Sequence, residues 1–154
     1  AGWQVGANQV EVRNNIVGTA YDGNNFVELD VKKNSWISQS FATVIGQTYE
    51  VSFFYSPRVG VTANSNEILA SVSGDSLLVS GSGVGNAGNL WTEYSFLFTA
   101  DESSETLTFS AEGLSDSRGG SLDAVSVTAV PEPASWSIVL VGPAGLGLIR
   151  RRAL

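Results

Sequence analysis

The sequence predicts an all-β protein, an antiparallel β-sandwich followed by one C-terminal transmembrane helix. Three observations support this prediction. Up to residue 130, short runs alternate apolar and polar residues, and Gly, Asn, Asp and Ser separate the runs. No stretch of that part has the spacing of an amphipathic helix. An uncharged apolar segment then covers residues 134–149, and three arginines follow it.

The individual strands are predicted from the alternation. In residues 49–55 every second side chain is aromatic or apolar, and the same period of two recurs in residues 92–98 and 105–111. Six weaker runs are 10–13, 26–29, 36–41, 68–72, 77–79 and 122–127. Roughly nine strands joined by turn-rich links are typical of an antiparallel sandwich or barrel.

The composition restricts the chemistry of the chain. With 43% hydrophobic residues among 154, the sequence can build one core. The absence of cysteine excludes disulfides and thiol nucleophiles, and the absence of histidine removes the commonest general base and metal ligand. A net charge of −7 disfavours nucleic acid as a partner, because an acidic surface repels phosphate. Most hydrolytic chemistries are therefore disfavoured.

The C-terminal segment has the features of an oriented membrane span. Glu132 and Arg150 are consecutive charges, so residues 133–149 carry none. A spanning helix needs about 17 to 25 residues, which this segment just supplies. Basic residues beside a span stay on the cytoplasmic side, so the cluster Arg150, Arg151 and Arg152 would leave the preceding domain outside.

The order of features in this tail resembles the PEP-CTERM sorting signal of bacterial exosortase substrates, also catalogued as an ice-binding protein C-terminal domain. The signature is Pro131-Glu132-Pro133, followed by the apolar segment and the arginines. The resemblance implies a sorting signal over residues 131–154, and residues 1–130 are then the exported domain, the β-sandwich that the alternation predicts. It also implies insertion of residues 134–149 in the inner membrane, processing by an exosortase-type membrane enzyme, and delivery to the cell surface or release.

Residues 3–128 resemble galactose-binding-like jelly rolls of anchored bacterial surface proteins, the choice-of-anchor C type, and plant cell-wall proteins of the same sandwich. The segments that carry this resemblance are 22–29, 37–41, 46–53, 91–98 and 121–127. Such domains usually open with a strand resembling Asn-Gly-Ser-Phe-Glu, which pairs beside the last strand. That run is absent here, so the resemblance implies a sandwich that lacks its first strand.

Saccharide binding by a sandwich requires exposed aromatic rings that stack on sugars and polar side chains that bind hydroxyls. For each ring, the alternative is a place in the core, where aromatic residues dominate packing. For the arginines, the alternative is an ion pair or a role in loop structure. The candidates are Trp36, Tyr55, Arg58, Trp91 and Arg118, with Tyr21 as a further aromatic residue.

A structural calcium ion is the one cofactor that the sequence leaves open, because hard oxygen ligands are plentiful. The jelly-roll resemblance implies a position at Asp123 in the final strand, with loop carbonyls and Glu28 or Glu11. No EF-hand spacing is present, and the alternative is an acidic, solvated strand end.

The sequence favours an exported, non-enzymatic protein that binds or associates with exopolysaccharide. Two alternatives stay open. A structural or adhesive matrix protein would self-associate without saccharide, and a carbohydrate-active enzyme would need a pair of carboxylates. The strand pattern predicts that Glu50, Glu93 and Glu105 face outward, where acids serve solubility, and no pair can be singled out for catalysis.

Overall fold

The computed structural model describes residues 2–131, which form ten strands and one short 3-10 helix, Ala63–Ser65. Each of the nine predicted strands has a counterpart. The additional strand, β1, has two residues, too few to show an alternation. The strands are β1 (Gln4–Val5), β2 (Glu11–Asn14), β3 (Asn25–Glu28), β4 (Trp36–Ala42), β5 (Thr48–Ser56), β6 (Ile68–Val72), β7 (Asp75–Val79), β8 (Thr92–Thr99), β9 (Ser104–Ala111) and β10 (Ser121–Ala129).

The strands form two five-stranded antiparallel sheets. Sheet A has the order β1-β4-β9-β6-β7, and sheet B has the order β2-β3-β10-β5-β8. The predicted all-β antiparallel sandwich is therefore confirmed. The predicted transmembrane helix and the sorting signal from Glu132 onward lie outside the described residues. Within residues 2–131, no helix is long and apolar enough to cross a membrane.

The core lies between the sheets and follows from the alternation. On β5, Val51, Phe53 and Tyr55 all point inward and are buried. Phe53 meets Phe109 of sheet A edge to face, with ring centroids 5.0 Å apart. Because successive strand residues point to opposite sides, the residues between these positions form the outer faces of the sandwich.

Glu105 contradicts its predicted outward position. It has the same parity on β9 as Leu107 and Phe109, and it is buried with them. Its Oε1 accepts the backbone N–H groups of Asp101 and Glu102, at 3.2 Å each. The Glu105 carboxylate therefore accepts hydrogen bonds from two backbone N–H groups of the turn before its strand.

The last strand is only partly enclosed within sheet B. β10 pairs with β5 along its length, but with β3 only at Ser121 and Leu122. A β-bulge follows between Asp123 and Ser126, where Ala124 has a φ of 46°. Within residues 2–131, the remainder of that edge of β10 has no strand partner.

A cleft of about 660 Å³ opens between the sheets beside this free edge. Its lining is mainly apolar and comes from both sheets: residues on β3, β4, β9 and β10 join Trp3, Val5, Val10 and Val12. Trp3, Val5 and Val12 are exposed. The core of the sandwich is therefore open on this side.

Candidate functional site

The outer face of sheet A is a row-by-row array of uncharged side chains. Directly opposite residues of an antiparallel pair point to the same side. The register therefore places four rows on this face, which we call the hydroxyl face. They are Trp36, Ser110, Leu69 and Leu78; Gln4, Ser38, Thr108, Ser71 and Ser76; Ser40 and Thr106; and Ala42 and Ser104.

The hydroxyl face combines hydrogen-bonding groups with an exposed aromatic ring. Trp36 on β4 is 39% exposed. At the other end of the same row, Leu78 on β7 is 53% exposed. Ser40 and Thr106 share a hydrogen bond of 2.8 Å. Just beyond β9, the Glu112 carboxylate accepts a hydrogen bond from Ser110 Oγ, so an acid marks the rim of the face. The array can therefore offer hydroxyl groups and a ring face to one ligand.

The outer face of sheet B is different, because the β2–β3 loop, residues 15–24, folds over it. Tyr21 stacks on Phe54 with ring centroids 3.5 Å apart and planes at 14°. Trp91 packs edge-on against Phe26, and its Nε1 donates to the Thr19 carbonyl at 2.9 Å. This loop buries the Phe26 side chain on what would otherwise be an outer face. The aromatic residues here serve to hold the loop.

The loop is also fixed by Asp123. Its Oδ2 accepts the backbone N–H groups of Tyr21 and Asp22, at 2.8 and 3.1 Å, and its Oδ1 accepts that of Ala124 at 2.8 Å. Asp123 thus ties the bulge of β10 to the β2–β3 loop.

Sheet B carries a buried charge cluster beside the covered aromatic residues. The fully buried Glu28 carboxylate forms ion pairs with Arg13 and Arg58, the latter at 2.6 Å. Its Oε1 also accepts the Gly119 N–H at 2.8 Å. Burial raises the pKa of Glu28, although the Gly119 N–H and the two guanidinium groups oppose that rise. The cluster joins β2, β3 and the loops after β5 and before β10.

The structure does not bring the five predicted saccharide-contacting residues together in one site, although Arg58 donates to the carbonyl of Ser117, the neighbour of Arg118. Trp36 lies on the hydroxyl face, whereas Arg58 pairs with Glu28 and Trp91 holds the β2–β3 loop. Tyr55 is 1% exposed in the core, where its hydroxyl donates to the Asn66 carbonyl and burial raises its pKa. It has no free ring face, which corrects the prediction for this residue. Arg118 is exposed in the loop before β10.

Sequence reasoning missed the hydroxyl face and the Glu28 cluster. The signal for the first is present: Ser38, Ser40, Thr106 and Thr108 recur at every second position of two strands. What could not be read was the register that places them side by side. The signal for the cluster is Glu28 within an apolar run, which marks a buried charge in need of partners.

The two predicted calcium ligands have separate protein partners. Glu28 is occupied by arginines and an amide, and Asp123 by three amides. In residues 2–131, no three acidic side chains lie together in a way that could hold a metal ion. The calcium site stays a prediction.

Comparison with known sequences places the fold in a family. A family model described as a protein of unknown function, DUF642, matches residues 2–128. The chain belongs to the DUF642 family. The match covers both sheets of this DUF642 domain and ends within β10. Among curated proteins, no sequence matches the chain.

Solved structures similar to this DUF642 domain include carbohydrate-binding modules and, over part of their length, glycoside hydrolases such as an exo-β-1,3-galactanase from Phanerochaete chrysosporium. TmCBM61, solved with β-1,4-galactotriose, is 22% identical, with a TM-score of 0.58 over 83% of this chain and 88% of that chain. A family 35 module from Clostridium thermocellum is 18% identical, with a TM-score of 0.55 over 84% and 100%. The CBM22-1 xylan-binding domain of Paenibacillus barcinonensis Xyn10C is 15% identical, with a TM-score of 0.56 over 86% and 88%. At these identities the similarity is one of fold.

Proposed function

We propose that this chain is an exported, non-enzymatic saccharide-binding protein whose ligand is an exopolysaccharide. The observation that carries the proposal is the hydroxyl face with Trp36 exposed on it. A sugar ring presents an apolar face to an aromatic ring and hydroxyl groups to polar side chains, and the face supplies both kinds of partner. The names of TmCBM61 and of the xylan-binding domain support a saccharide as the ligand class for this fold.

A binding role is favoured over catalysis because the buried acidic side chains already have protein partners. Glycosidases use two carboxyl groups that flank the scissile bond. Here Glu105 is committed to backbone amides and Glu28 to arginines. The thirteen positions of the hydroxyl face, as grouped above, include no acid. A carbohydrate-active enzyme would therefore have to place its carboxylates elsewhere.

The direct test is saccharide binding by the full chain. The 154-residue protein, kept in a non-ionic detergent, is screened against an array of oligosaccharides and polysaccharides that includes β-1,4-galactotriose. Concentration-dependent binding that free saccharide competes away would support the proposal. Self-association with no saccharide bound at any concentration would reject it in favour of the structural matrix protein.

Sorting by the C-terminal segment is a separate part of the proposal. Residues 131–154 are proposed to act as a PEP-CTERM signal, which an exosortase-type enzyme reads while residues 134–149 are in the inner membrane. The support is the order of the Pro-Glu-Pro signature, the apolar segment and the arginines. Mass spectrometry of the secreted protein tests it. A form that ends near Pro133 is expected, whereas secreted protein that retains Arg150 to Arg152 would contradict release.

The sandwich is further proposed to lack its first strand. Among residues 2–131, β10 has an unpaired edge beside an open apolar cleft, as a missing neighbouring strand would leave it, and β1 pairs with β4 instead. A synthetic peptide that contains the run Asn-Gly-Ser-Phe-Glu, added in trans, should slow amide exchange along Ser126–Ala129 and raise the melting temperature. Unchanged exchange at that edge would reject this part of the proposal.

A further inference from the structure

We propose that the hydroxyl face binds a neutral polysaccharide in extended form, laid across the strands of sheet A. This inference rests on the proposed function and specifies the ligand class. Three observations lead to it: the charge of the face, the spacing of its rows and the contrast with sheet B.

The charge distribution selects a neutral ligand. The chain has 15 acidic and 8 basic residues, yet no charged side chain occupies an outward position of the paired strands of sheet A. On sheet B, the outward positions include Glu11, Arg13, Glu28, Glu93 and Asp123. An anionic polymer would find no cation on the hydroxyl face and would meet the field of a protein with a net charge of −7. A neutral polymer needs no cation on the face and is not repelled by the net charge of the protein.

The rows of the hydroxyl face form a long surface that matches an extended polysaccharide. One row contains Gln4, Ser38, Thr108, Ser71 and Ser76, one residue from each strand of the sheet. Gln4 and Ser76 at its two ends are exposed, Thr108 and Ser71 are half-buried, and Ser38 is buried. At about 4.8 Å between strands, this row is about 19 Å long. The neighbouring row, two residues along each strand and so about 7 Å away, has Trp36, Leu69 and Leu78. A polysaccharide has hydroxyl edges and apolar ring faces, so it can contact both rows at once.

The contrast with sheet B favours sheet A as the binding face. On sheet B the β2–β3 loop covers the region of Phe26 and Phe54, where the rings of Tyr21 and Trp91 pack against those two side chains. On sheet A, the Ser40, Thr106, Ser76 and Leu78 side chains are exposed. An extended ligand can therefore approach sheet A without displacing protein.

The inference is tested with two polymers that share a backbone and differ in charge. Native affinity electrophoresis of the full chain in non-ionic detergent is run in gels containing hydroxyethylcellulose, which is neutral, or carboxymethylcellulose, which is anionic. We expect retardation by the neutral polymer and at least about a tenfold weaker apparent affinity for the anionic one, a difference of about 1.4 kcal/mol.

Charge substitutions then locate the site. Thr106→Lys and Thr106→Glu each place a charge in the middle of the hydroxyl face, and both should weaken binding of hydroxyethylcellulose about tenfold, because a charged side chain must be desolvated under a neutral ligand. Ser95→Lys is the matched control, since Ser95 is an exposed outward residue of β8 on sheet B. It should leave binding unchanged. Circular dichroism confirms that each variant is folded.

The outcomes separate this inference from the proposed function. Equal retardation by both polymers, or equal weakening by Ser95→Lys and Thr106→Lys, overturns the inference while saccharide binding stands. Binding of carboxymethylcellulose that Thr106→Lys strengthens would also overturn it, because an anionic ligand would then occupy the face. Absence of binding to every saccharide on the array and in the gels overturns the proposed function itself.

Discussion

Trp36 and Trp91 lie on different sheets of the sandwich and have different roles. Trp36 faces outward from sheet A and is 39% exposed. Trp91, which directly precedes β8 of sheet B, contacts Phe26 and donates its Nε1–H to the Thr19 carbonyl. One tryptophan is therefore available to a ligand, and the other stabilises a loop.

The role of Trp91 predicts a loss of stability on its removal. Trp91→Ala deletes the edge contact with Phe26 and the hydrogen bond that holds the β2–β3 loop. A fully buried Trp→Ala change costs about 3–5 kcal/mol, and for this half-buried ring we expect about 2 kcal/mol. Urea denaturation measures the free energy of unfolding. Trp36→Ala is the matched control and should cost about 1 kcal/mol or less, because its ring is more exposed. Equal losses in the two variants would contradict the assignment.

The Glu28 cluster predicts a pH-dependent stability. Because burial raises the pKa of Glu28 in the folded protein above its ordinary 4.5, the folded state binds more protons than the unfolded state above that pH. The contribution of this group is full below pH 4.5 and is lost as pH rises through the folded pKa. Glu28→Gln removes the titration. The free energy of unfolding of the unmodified chain minus that of Glu28→Gln should therefore fall as pH is raised from about 4.5 to 7.

Urea denaturation at several pH values, with both proteins at each pH, gives this difference directly. The subtraction removes the contributions of the other carboxyl groups, such as Asp101, whose pKa is lowered chiefly by its hydrogen bond from Ser73. A difference that stays constant, or that rises with pH, would show that the arginines outweigh burial at Glu28.

Gly83 predicts a steric effect on the Arg58 loop. A Cβ at Gly83 would lie 1.9 Å from the Arg58 carbonyl oxygen, which is a backbone atom and cannot rotate away. Gly83→Ala should therefore displace the loop that carries Arg58 and cost about 1–3 kcal/mol. At Gly88, in the same β7–β8 loop, nothing lies within 4 Å of a Cβ, so Gly88→Ala is the control and should change the melting temperature little. Similar thermal unfolding of the two variants would count against the steric account.

The fold could be predicted from the sequence because alternation is a local property. The run from Tyr49 to Tyr55 shows its inward face without any knowledge of its neighbours. Glu105 has the parity of Leu107, but an acid in a strand usually faces solvent, so the sequence predicts the outer face, whereas the structure places Glu105 inside. The backbone N–H groups of Asp101 and Glu102 donate to its carboxylate and offset the cost of burying it.

The site was harder to predict because it depends on pairing and on loop packing. Alternation shows that the Trp36 side chain faces away from the core. It does not show that Ser110 and Leu69 lie beside Trp36 on the same face. The role of Trp91 depends on the β2–β3 loop, which places the Thr19 carbonyl against the indole N–H. These two residues are 72 positions apart in the sequence. The sequence predicts Tyr55 as a ring that stacks on sugar because it lies near the end of a strand, and its burial follows from the packing of that strand end.

The affinity of the two tryptophan variants for hydroxyethylcellulose distinguishes a saccharide site on sheet A from one on sheet B. Native affinity electrophoresis of the full chain in non-ionic detergent compares Trp36→Ala and Trp91→Ala at a temperature where circular dichroism shows both to be folded. We expect about a tenfold or greater loss of affinity for Trp36→Ala and less than about a twofold change for Trp91→Ala. Loss of binding in Trp91→Ala with binding retained in Trp36→Ala would contradict this expectation and would move the saccharide site to sheet B.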